Sequence, residues 1–140
     1  MHARPSGRFL VGPGNFFPPP HVDSSVIRLD RRTPDAVAEE VHAMGLADAR
    51  EERDAVDELV RATCTMADAA FATRRKTLSN SCKTYFAGRG AEGKRIAAEL
   101  PHLFEAAGID PKRRGESLDQ GEFVKLGATY LQLRARLEKE

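Results

Sequence analysis

Two phenylalanines followed by three prolines, Phe16-Phe17-Pro18-Pro19-Pro20, form the segment best suited to holding a flat ligand. Consecutive prolines fix the backbone in an extended, polyproline-like conformation and remove backbone donors. A phenylalanine on such a stiff loop loses little conformational entropy on binding, so it suits stacking on a nucleobase. The residues alone also allow a structural role, in which both rings pack beneath the loop as core.

Three consecutive basic residues, Arg74, Arg75 and Lys76, are the strongest candidates for contacts with phosphate groups. The planar guanidinium of arginine matches phosphate oxygens bidentately, whereas lysine supplies a mobile point charge. Consecutive side chains on a helix point about 100° apart, so we expect one of the three to cover an apolar stripe or to pair with a carboxylate. Lys83 extends the basic track. Asn80 either caps a local turn, which is the favoured role, or reaches the same ligand.

The charges are unevenly distributed along the chain, although the net charge is only +1. Residues 35–58 carry nine acidic and two basic residues, whereas residues 71–95 carry seven basic residues and one acidic residue. The basic segment predicts a surface that binds an anion, and nucleic acid fits this pattern. The acidic segment predicts either a solvated helix face or a docking surface for a protein partner.

Other kinds of site are disfavoured. The glycines of residues 11–15 lead into aromatic residues and prolines that cannot begin the helix of a cofactor loop, so a plain turn is expected. Cys64, Cys82 and four scattered histidines offer neither a disulfide framework nor zinc-ligand spacing, which predicts two inert thiols in a reducing cytosol. The sequence has no apolar run of about 18 residues and no secretory signal. We expect a cytoplasmic monomer that binds no metal.

Apolar periodicity predicts a mainly α protein with a short β segment at its start. Residues 22–29 are rich in β-branched side chains and predict a strand, and Val11 ends another short strand. One or two strands do not form a stable sheet in water. Residues 1–32 are therefore interpreted as the edge of a larger, incomplete α/β domain, and residues 33–140 as a small bundle of about four helices.

Capping residues and glycines mark the predicted helix boundaries. The first helix begins at Thr33-Pro34, carries Val37, Val41 and Met44 on its apolar face, and ends at Gly45. The later helices run from Val56 to Arg74 with a break near residues 77–80, along an apolar stripe that ends at Gly108, and onward from a capping box of Asp119 and Glu122.

Three segments, in the same order along the chain, resemble motifs of the small-subunit rRNA adenine dimethyltransferase (dimethyladenosine transferase) family. Residues 11–24 resemble V-x-x-x-x-F-x-P-x-P-K-V-D-S, with Phe16 at the aromatic position. Residues 71–81 resemble F-x-x-R-R-K-T-L-x-N-S-L, and residues 108–123 resemble G-I-D-P-x-x-R-A-E-x-L-S-x-x-E-F. The resemblance spans residues 11–133, with an atypical stretch around residues 36–56, and it matches the C-terminal portion of such enzymes.

The resemblance implies a fold, an activity and a substrate. Members bind S-adenosylmethionine in an N-terminal Rossmann-like domain and dimethylate two adjacent adenines near the end of small-subunit rRNA, within the immature small ribosomal subunit. Residues 1–32 would then be the C-terminal edge of the methyltransferase domain, and residues 33–140 a helical domain that helps to hold the RNA. The proline-flanked phenylalanine of the family stacks on the target adenine, a role that falls on Phe16. The expected RNA contacts are Arg74, Arg75, Lys76, Lys83 and Asn80.

The chain departs from the family pattern at several positions. His21 replaces the usual lysine, which weakens the phosphate contact expected there. Cys82 and Gly115 replace a leucine and an alanine, changes that affect packing more than chemistry. The glycine loop that holds the cofactor and the catalytic N-L-P-Y/F box of the family are absent from this sequence. We therefore expect the 140-residue chain to lack the S-adenosylmethionine site and to be inactive by itself.

Alternative functions fit parts of the sequence. A helical RNA-binding module without chemistry fits the basic segment, and a protein-interaction helical domain fits the acidic one. Antibiotic-resistance rRNA methyltransferases are related, but the arginine-rich and G-I-D-P segments look closer to the housekeeping enzyme. In the cluster Lys112-Arg113-Arg114, a local ion pair between Arg114 and Glu116 is expected rather than an RNA contact.

Overall fold

The computed structural model describes residues 3–43, 45 and 53–139. The chain divides into two compact units, residues 1–40 and residues 41–140. The first contains a two-stranded antiparallel β-hairpin, and the second contains a bundle of α-helices. The predicted fold class, mainly helical with a β-hairpin at the start, is confirmed.

The hairpin joins β1 (Ala3–Val11) to β2 (Ser24–Arg31). The ladder ends where Val11 pairs with Ser24, so β2 begins two residues later than predicted because residues 22 and 23 have no opposite strand. The register shifts between Pro5 and Gly7, where proline lacks a backbone donor. The strand predicted to end at Val11 is confirmed.

Both faces of the hairpin carry exposed apolar side chains. Phe9 and Val26 pair across the strands on one face, with 61% and 47% of their surfaces exposed. Leu10, Ile27 and Leu29 are exposed on the other face, since successive strand residues point to opposite faces. Apolar residues on both faces are typical of strands that are covered on both sides.

Helix α1 (Pro34–Ala43) begins as predicted. The Thr33 hydroxyl accepts a hydrogen bond from the Ala36 amide at 3.3 Å, and Arg32 pairs with Glu40 and donates to the Ala36 carbonyl at 2.8 Å. Gly45 follows with a φ of +68°, a conformation that favours glycine and ends a helix. The predicted apolar residue Met44 and part of the acidic segment, residues 46–52, lie outside the described residues.

The second unit is built from α2 (Arg53–Phe71), α3 (Leu78–Ala87), α4 (Gly90–Ala107) and α5 (Gln120–Leu137). Helix α2 packs along α5, and α4 packs between α3 and α5. The core contains the following buried residues: Ala62, Met66, Ala69, Ala70, Leu78, Cys82, Phe86, Ile96, Leu100, Leu103, Phe104, Ile109, Leu126, Tyr130 and Leu133. The predicted apolar stripes of these helices therefore form one core.

The predicted ends of α4 and α5 are confirmed. Gly108 caps the C-terminus of α4 in the left-handed conformation, with a φ of +67°. At the start of α5, the Asp119 carboxylate accepts from the Glu122 amide at 2.8 Å, and the Glu122 carboxylate accepts from the Asp119 amide at 2.9 Å. This reciprocal capping box satisfies two donors that the helix leaves free.

The prediction that the second helix reaches Arg74 is wrong, because α2 ends at Phe71. The buried Ser81 hydroxyl of α3 donates to the Ala69 carbonyl at 2.8 Å and accepts from the Thr73 amide at 3.0 Å. These bonds occupy backbone groups at the end of α2, and the chain turns over residues 72–77. The break thus comes earlier than the residues 77–80 that the sequence predicts.

Helices α3 and α4 approach each other closely at Gly93. A Cβ added to Gly93 would lie 3.2 Å from the Phe86 carbonyl carbon, and nearer still to the carbonyl oxygen. Gly127 of α5 is similarly tight, since an added Cβ would lie 2.7 Å from the Thr63 backbone nitrogen of α2. Among the helices that the structure describes, none combines the length and apolar character needed to span a bilayer.

Candidate nucleic-acid interface

Arg74, Arg75 and Lys76 lie on the turn of residues 72–77, named here the basic loop, and not on a helix as predicted. All three side chains are exposed. Within the part of the chain that the structure describes, no ion pair joins any of them to a carboxylate. The expected ion pair with a carboxylate of the acidic segment is therefore not found among the described residues, and the three side chains lie on an exposed turn instead of a helix.

Protein carbonyls occupy the first backbone amides of α3, next to the basic loop. The Leu78 amide donates to the Arg113 carbonyl at 2.7 Å, and the Ser79 amide donates to the Pro111 carbonyl at 3.1 Å. Two sequence motifs that are separated in the chain, residues 71–81 and 108–123, are thereby joined. Because these amides are already hydrogen-bonded, they are not available to bind an anion. The positive charge at this place therefore comes from the side chains of the basic loop.

The neighbouring arginines of residues 113 and 114 are neutralised by glutamates. Arg113 pairs with Glu122, with Nη2 3.0 Å from Oε2, and this hydrogen bond lowers the pKa of Glu122. Arg113 also donates to the Ser117 hydroxyl at 3.2 Å. Arg114 lies 3.8 Å from the Glu116 carboxylate, which confirms the predicted local ion pair. Arg113 thus links the preceding loop to the start of α5, and both arginines offer less free charge than the basic loop.

A groove next to the basic loop brings together three of the predicted RNA contacts. This loop groove has a volume of ≈ 510 Å³ and is lined by Thr73, Lys76, Asn80, Lys83, Thr84 and Ala87. The capping interpretation of Asn80 is wrong, because the Thr77 hydroxyl caps α3 by accepting from the Asn80 amide at 3.4 Å. The exposed Asn80 side chain instead faces the groove, where its amide can donate to a phosphate or ribose oxygen.

Phe16 and Phe17 lie directly after the turn of residues 13–15 in the hairpin unit. Phe16 is 44% exposed and Phe17 is fully exposed, so the interpretation in which both rings pack as core is wrong. A partly covered ring beside prolines has restricted freedom and retains a surface for stacking. His21, which replaces the lysine of the family motif, is also exposed.

The hairpin turn does not fit a cofactor loop. The Asn15 and Phe16 amides donate to the Gly12 and Pro13 carbonyls, each at 3.1 Å, so they bind their own turn. The turn leads to residues 16–23 and then to a second strand, not to a helix whose amides could hold an anion. The plain-turn prediction is confirmed, and the described residues of this turn do not fit S-adenosylmethionine.

The two cysteines differ in environment and neither belongs to a metal cluster within the described residues. Cys82 is buried in the core, and burial raises the pKa of its thiol to about 12. A thiol with so high a pKa carries almost no reactive thiolate at neutral pH, so the prediction of an inert residue is confirmed for Cys82. Cys64 is exposed on α2.

Sequence reasoning missed a second groove, formed between α3 and α4, that contains Lys94. The signal was present, because Lys94, Ala97, Ala98 and Pro101 are spaced at i, i+3, i+4 and i+7 and so share a helix face. The Phe71 ring at the end of α2 is 55% exposed and stacks on Phe123, with ring centroids 6.1 Å apart.

Comparison with known proteins gives a consistent family relationship. The chain is similar to ribosomal RNA small subunit methyltransferase A of Staphylococcus aureus strains JH9 and Newman, with 39% identity over 111 residues in each case. The match covers 79% of this chain and 30% of each relative, so the chain spans about 30% of the length of the curated relatives it matches. No family model matches the chain. The resemblance found in the three motifs is confirmed: the chain corresponds to the C-terminal portion of the ribosomal RNA small subunit methyltransferase A family.

Proposed function

We propose that this chain is the substrate-positioning portion of an S-adenosylmethionine-dependent rRNA adenine dimethyltransferase, which acts on adjacent adenines of small-subunit rRNA during ribosome maturation. The observation that carries the proposal is the basic loop, where Arg74, Arg75 and Lys76 are exposed and have no carboxylate partner among the described residues. Unpaired cations of this kind bind the phosphate backbone by releasing its counterions.

The loop groove supplies the remaining contacts with the RNA. Lys76 and Lys83 line it and provide point charges for phosphates, while the Asn80 amide donates to a ribose or phosphate oxygen. These contacts read the backbone and not the bases, so they position the RNA without selecting its sequence. Selection of the target then depends on the shape of the rRNA and on the methyltransferase domain.

Phe16 has the role of stacking on the target adenine. The carbonyl of Pro13 accepts from the Phe16 amide, which fixes the backbone of Phe16 at the end of the hairpin turn. A base that leaves its helix needs a flat apolar surface to replace its lost neighbours, and a phenylalanine ring provides one. The ring therefore acts on base orientation more than on overall RNA affinity.

The exposed apolar faces of the hairpin support its assignment to a larger methyltransferase sheet. A two-stranded hairpin is marginally stable alone in water, and Phe9, Leu10 and Ile27 are each more than half exposed. In the complete enzyme, helices and strands of the methyltransferase domain cover these faces. We assign the cofactor site and the catalytic groups to that domain, and we therefore expect the 140-residue chain alone to transfer no methyl group.

RNA binding tests the proposal directly. The full 140-residue chain is titrated into a fluorescently labelled transcript of the end of small-subunit rRNA, over a range of sodium chloride concentrations. The double variant Arg74→Ala/Arg75→Ala should lose about tenfold in affinity, and its salt slope should become shallower by about 1.4 if two single-strand phosphate contacts are lost. The matched control is Arg134→Ala/Arg136→Ala, since both arginines of α5 are already paired with glutamates. Equal losses in the two double variants would contradict the proposal.

The stacking role of Phe16 requires a complete enzyme that carries this segment. Phe16→Ala should lower the rate of methyl transfer by about tenfold or more, in line with the free energy of base–aromatic stacking, with little change in RNA affinity. Phe17→Ala is the matched control, because Phe17 is the adjacent and fully exposed ring. A methyl-transfer rate for Phe16→Ala close to that of wild type, measured with labelled S-adenosylmethionine, would show that the ring does not orient the base.

A further inference from the structure

The groove between α3 and α4 adjoins the loop groove. Named here the α3–α4 groove, it has a volume of ≈ 460 Å³ and is lined on the α3 side by Ser79, Lys83 and Ala87 and on the α4 side chiefly by Lys94, Ala97 and Pro101. Lys83 and Ala87 line both grooves. The two grooves therefore adjoin each other on α3, and together they extend from Lys76 of the basic loop to Lys94 of α4.

Lysines are the only charged side chains among the described residues that line these two grooves. Lys76, Lys83 and Lys94 are exposed, and the ion pairs between described residues include none of them. The groove on the other side of α4 differs, because Glu92 and Glu138 line it together with arginines. Positive charge without neighbouring carboxylates favours a polyanion as the ligand of the α3–α4 side. It disfavours an apolar partner that carries no acidic groups.

Most of the side chains that line the α3–α4 groove are short and apolar, including Ala87, Ala97 and Pro101. Apart from the two lysines and the Ser79 hydroxyl, this lining has no side-chain donors or acceptors with which to read base edges, and its short side chains allow the sugar edges of a strand to approach closely. We propose that the RNA strand held by the basic loop continues through the α3–α4 groove, where Lys83 and Lys94 contact its phosphates. This inference rests on the proposed function and adds Lys94 to the RNA-binding residues.

Lys94→Ala and Arg95→Ala form a matched pair of variants that test the inference. Both residues are exposed and adjacent on α4, but Lys94 lines the α3–α4 groove whereas Arg95 lines the groove on the α5 side. Affinity for the labelled rRNA transcript is measured with the full chain as a function of salt. Lys94→Ala should weaken binding about two- to fivefold and make the salt slope shallower by about 0.7, while Arg95→Ala leaves the slope unchanged.

The outcomes separate this inference from the proposed function. If Arg74→Ala/Arg75→Ala weakens binding but Lys94→Ala and Arg95→Ala have equal effects, the RNA does not enter the α3–α4 groove and the proposed function stands. If the wild-type chain shows no salt-dependent affinity for the transcript, both are overturned. Poly-L-glutamate serves as a second probe: a loss of its binding in Lys94→Ala, with RNA binding unchanged, would assign the groove to an acidic protein instead. Circular dichroism of the two variants should match wild type, since both side chains are exposed.

Discussion

Helix α4 separates two grooves that differ in whether carboxylates lie beside their basic side chains. On the α3 side, Lys83 and Lys94 line a groove without a carboxylate among its described lining residues. On the α5 side, Glu92, Arg134 and Glu138 line a groove of ≈ 330 Å³, named here the α4–α5 groove. Both grooves are rich in charge, but only the first presents a net positive surface that can attract a polyanion.

The ion pairs on the α5 side form two small groups. Arg136 pairs with Glu99, which also lies 3.3 Å from the His102 ring. Arg134 lies 3.1 Å from Glu138 and 3.7 Å from Glu92. The charge of each of these two arginines is thus balanced by a carboxylate of the protein itself, before any ligand binds. The comparison shows that the availability of a basic residue depends on its partners and not on its place in a basic stretch of sequence.

The largest expected effect comes from Gly93, which sets the spacing of α3 and α4. Gly93→Ala should lower the free energy of unfolding by about 1–3 kcal/mol, because the added methyl group overlaps the Phe86 carbonyl. Urea denaturation measures the change. The same variant should speed the reaction of buried Cys82 with a thiol reagent, while exposed Cys64 reacts rapidly in both proteins.

Gly121→Ala is the control for this substitution. An added Cβ there lies 3.4 Å from the nearest atom, a carboxylate oxygen of Asp119, which is ordinary contact. Alanine also has a higher helix propensity than glycine by about 1 kcal/mol. Gly121→Ala should therefore leave the unfolding free energy unchanged or raise it. If Gly93→Ala were equally harmless, the two helices would not be in close contact at this position.

A carboxylate placed in the loop groove should make it resemble the α4–α5 groove. Thr84→Glu adds an acid beside Lys76 and Lys83 and should reduce RNA affinity by about tenfold, with a shallower salt slope, by neutralising the phosphate contacts. Thr129→Glu on α5 is the matched control, because each threonine hydroxyl donates to the carbonyl four residues earlier, at 2.9 Å. An effect of the same size at residue 129 would mean that only net charge matters.

Sequence periodicity was sufficient for the helices because their apolar residues and caps are local signals. The left-handed Gly108 and the capping box of Asp119 and Glu122 are both visible in the sequence and both form. The end of α2 was not predictable in the same way. It depends on the Ser81 hydroxyl, which reaches backbone groups of residues 69 and 73 from the next helix.

The candidate site was predictable in its composition but not in its geometry. Motif resemblance identified Arg74, Arg75 and Lys76, but helical geometry was assumed for them, and the turn instead exposes all three. The sequence also does not show whether an arginine has a carboxylate partner. Arg136, for example, pairs with Glu99, which lies 37 residues away in the sequence. Long-range partners of this kind follow from packing and leave no local signal.

Removing the carboxylates that pair with Arg134 and Arg136 should give the α5 side of α4 a weak affinity for RNA. The triple variant Glu92→Gln, Glu99→Gln and Glu138→Gln keeps side-chain shape and frees Arg134 and Arg136. We expect RNA affinity to rise about two- to fivefold and the salt slope to steepen, as measured by the same titration. An unchanged slope would show that the position of the cations, and not their pairing, decides whether they bind.

The smallest expected effect is a pH dependence of stability, which we expect from the paired Arg136 and not from Lys94. Hydrogen bonding to Arg136, and then to His102, lowers the pKa of Glu99 in the folded state. The unfolded state therefore binds more protons in this range, so the stability from the pair is fully present above the unfolded pKa of about 4.3 and is lost as the pH falls through the lower folded value.

In urea denaturation, Arg136→Ala should be less stable than wild type at pH 6, and the difference should shrink towards pH 3. Lys94→Ala should differ from wild type by the same small amount at both values, because no carboxylate among the described residues pairs with Lys94. A pH-dependent difference for Lys94→Ala would reveal an acidic partner and remove the distinction between the two sides of α4.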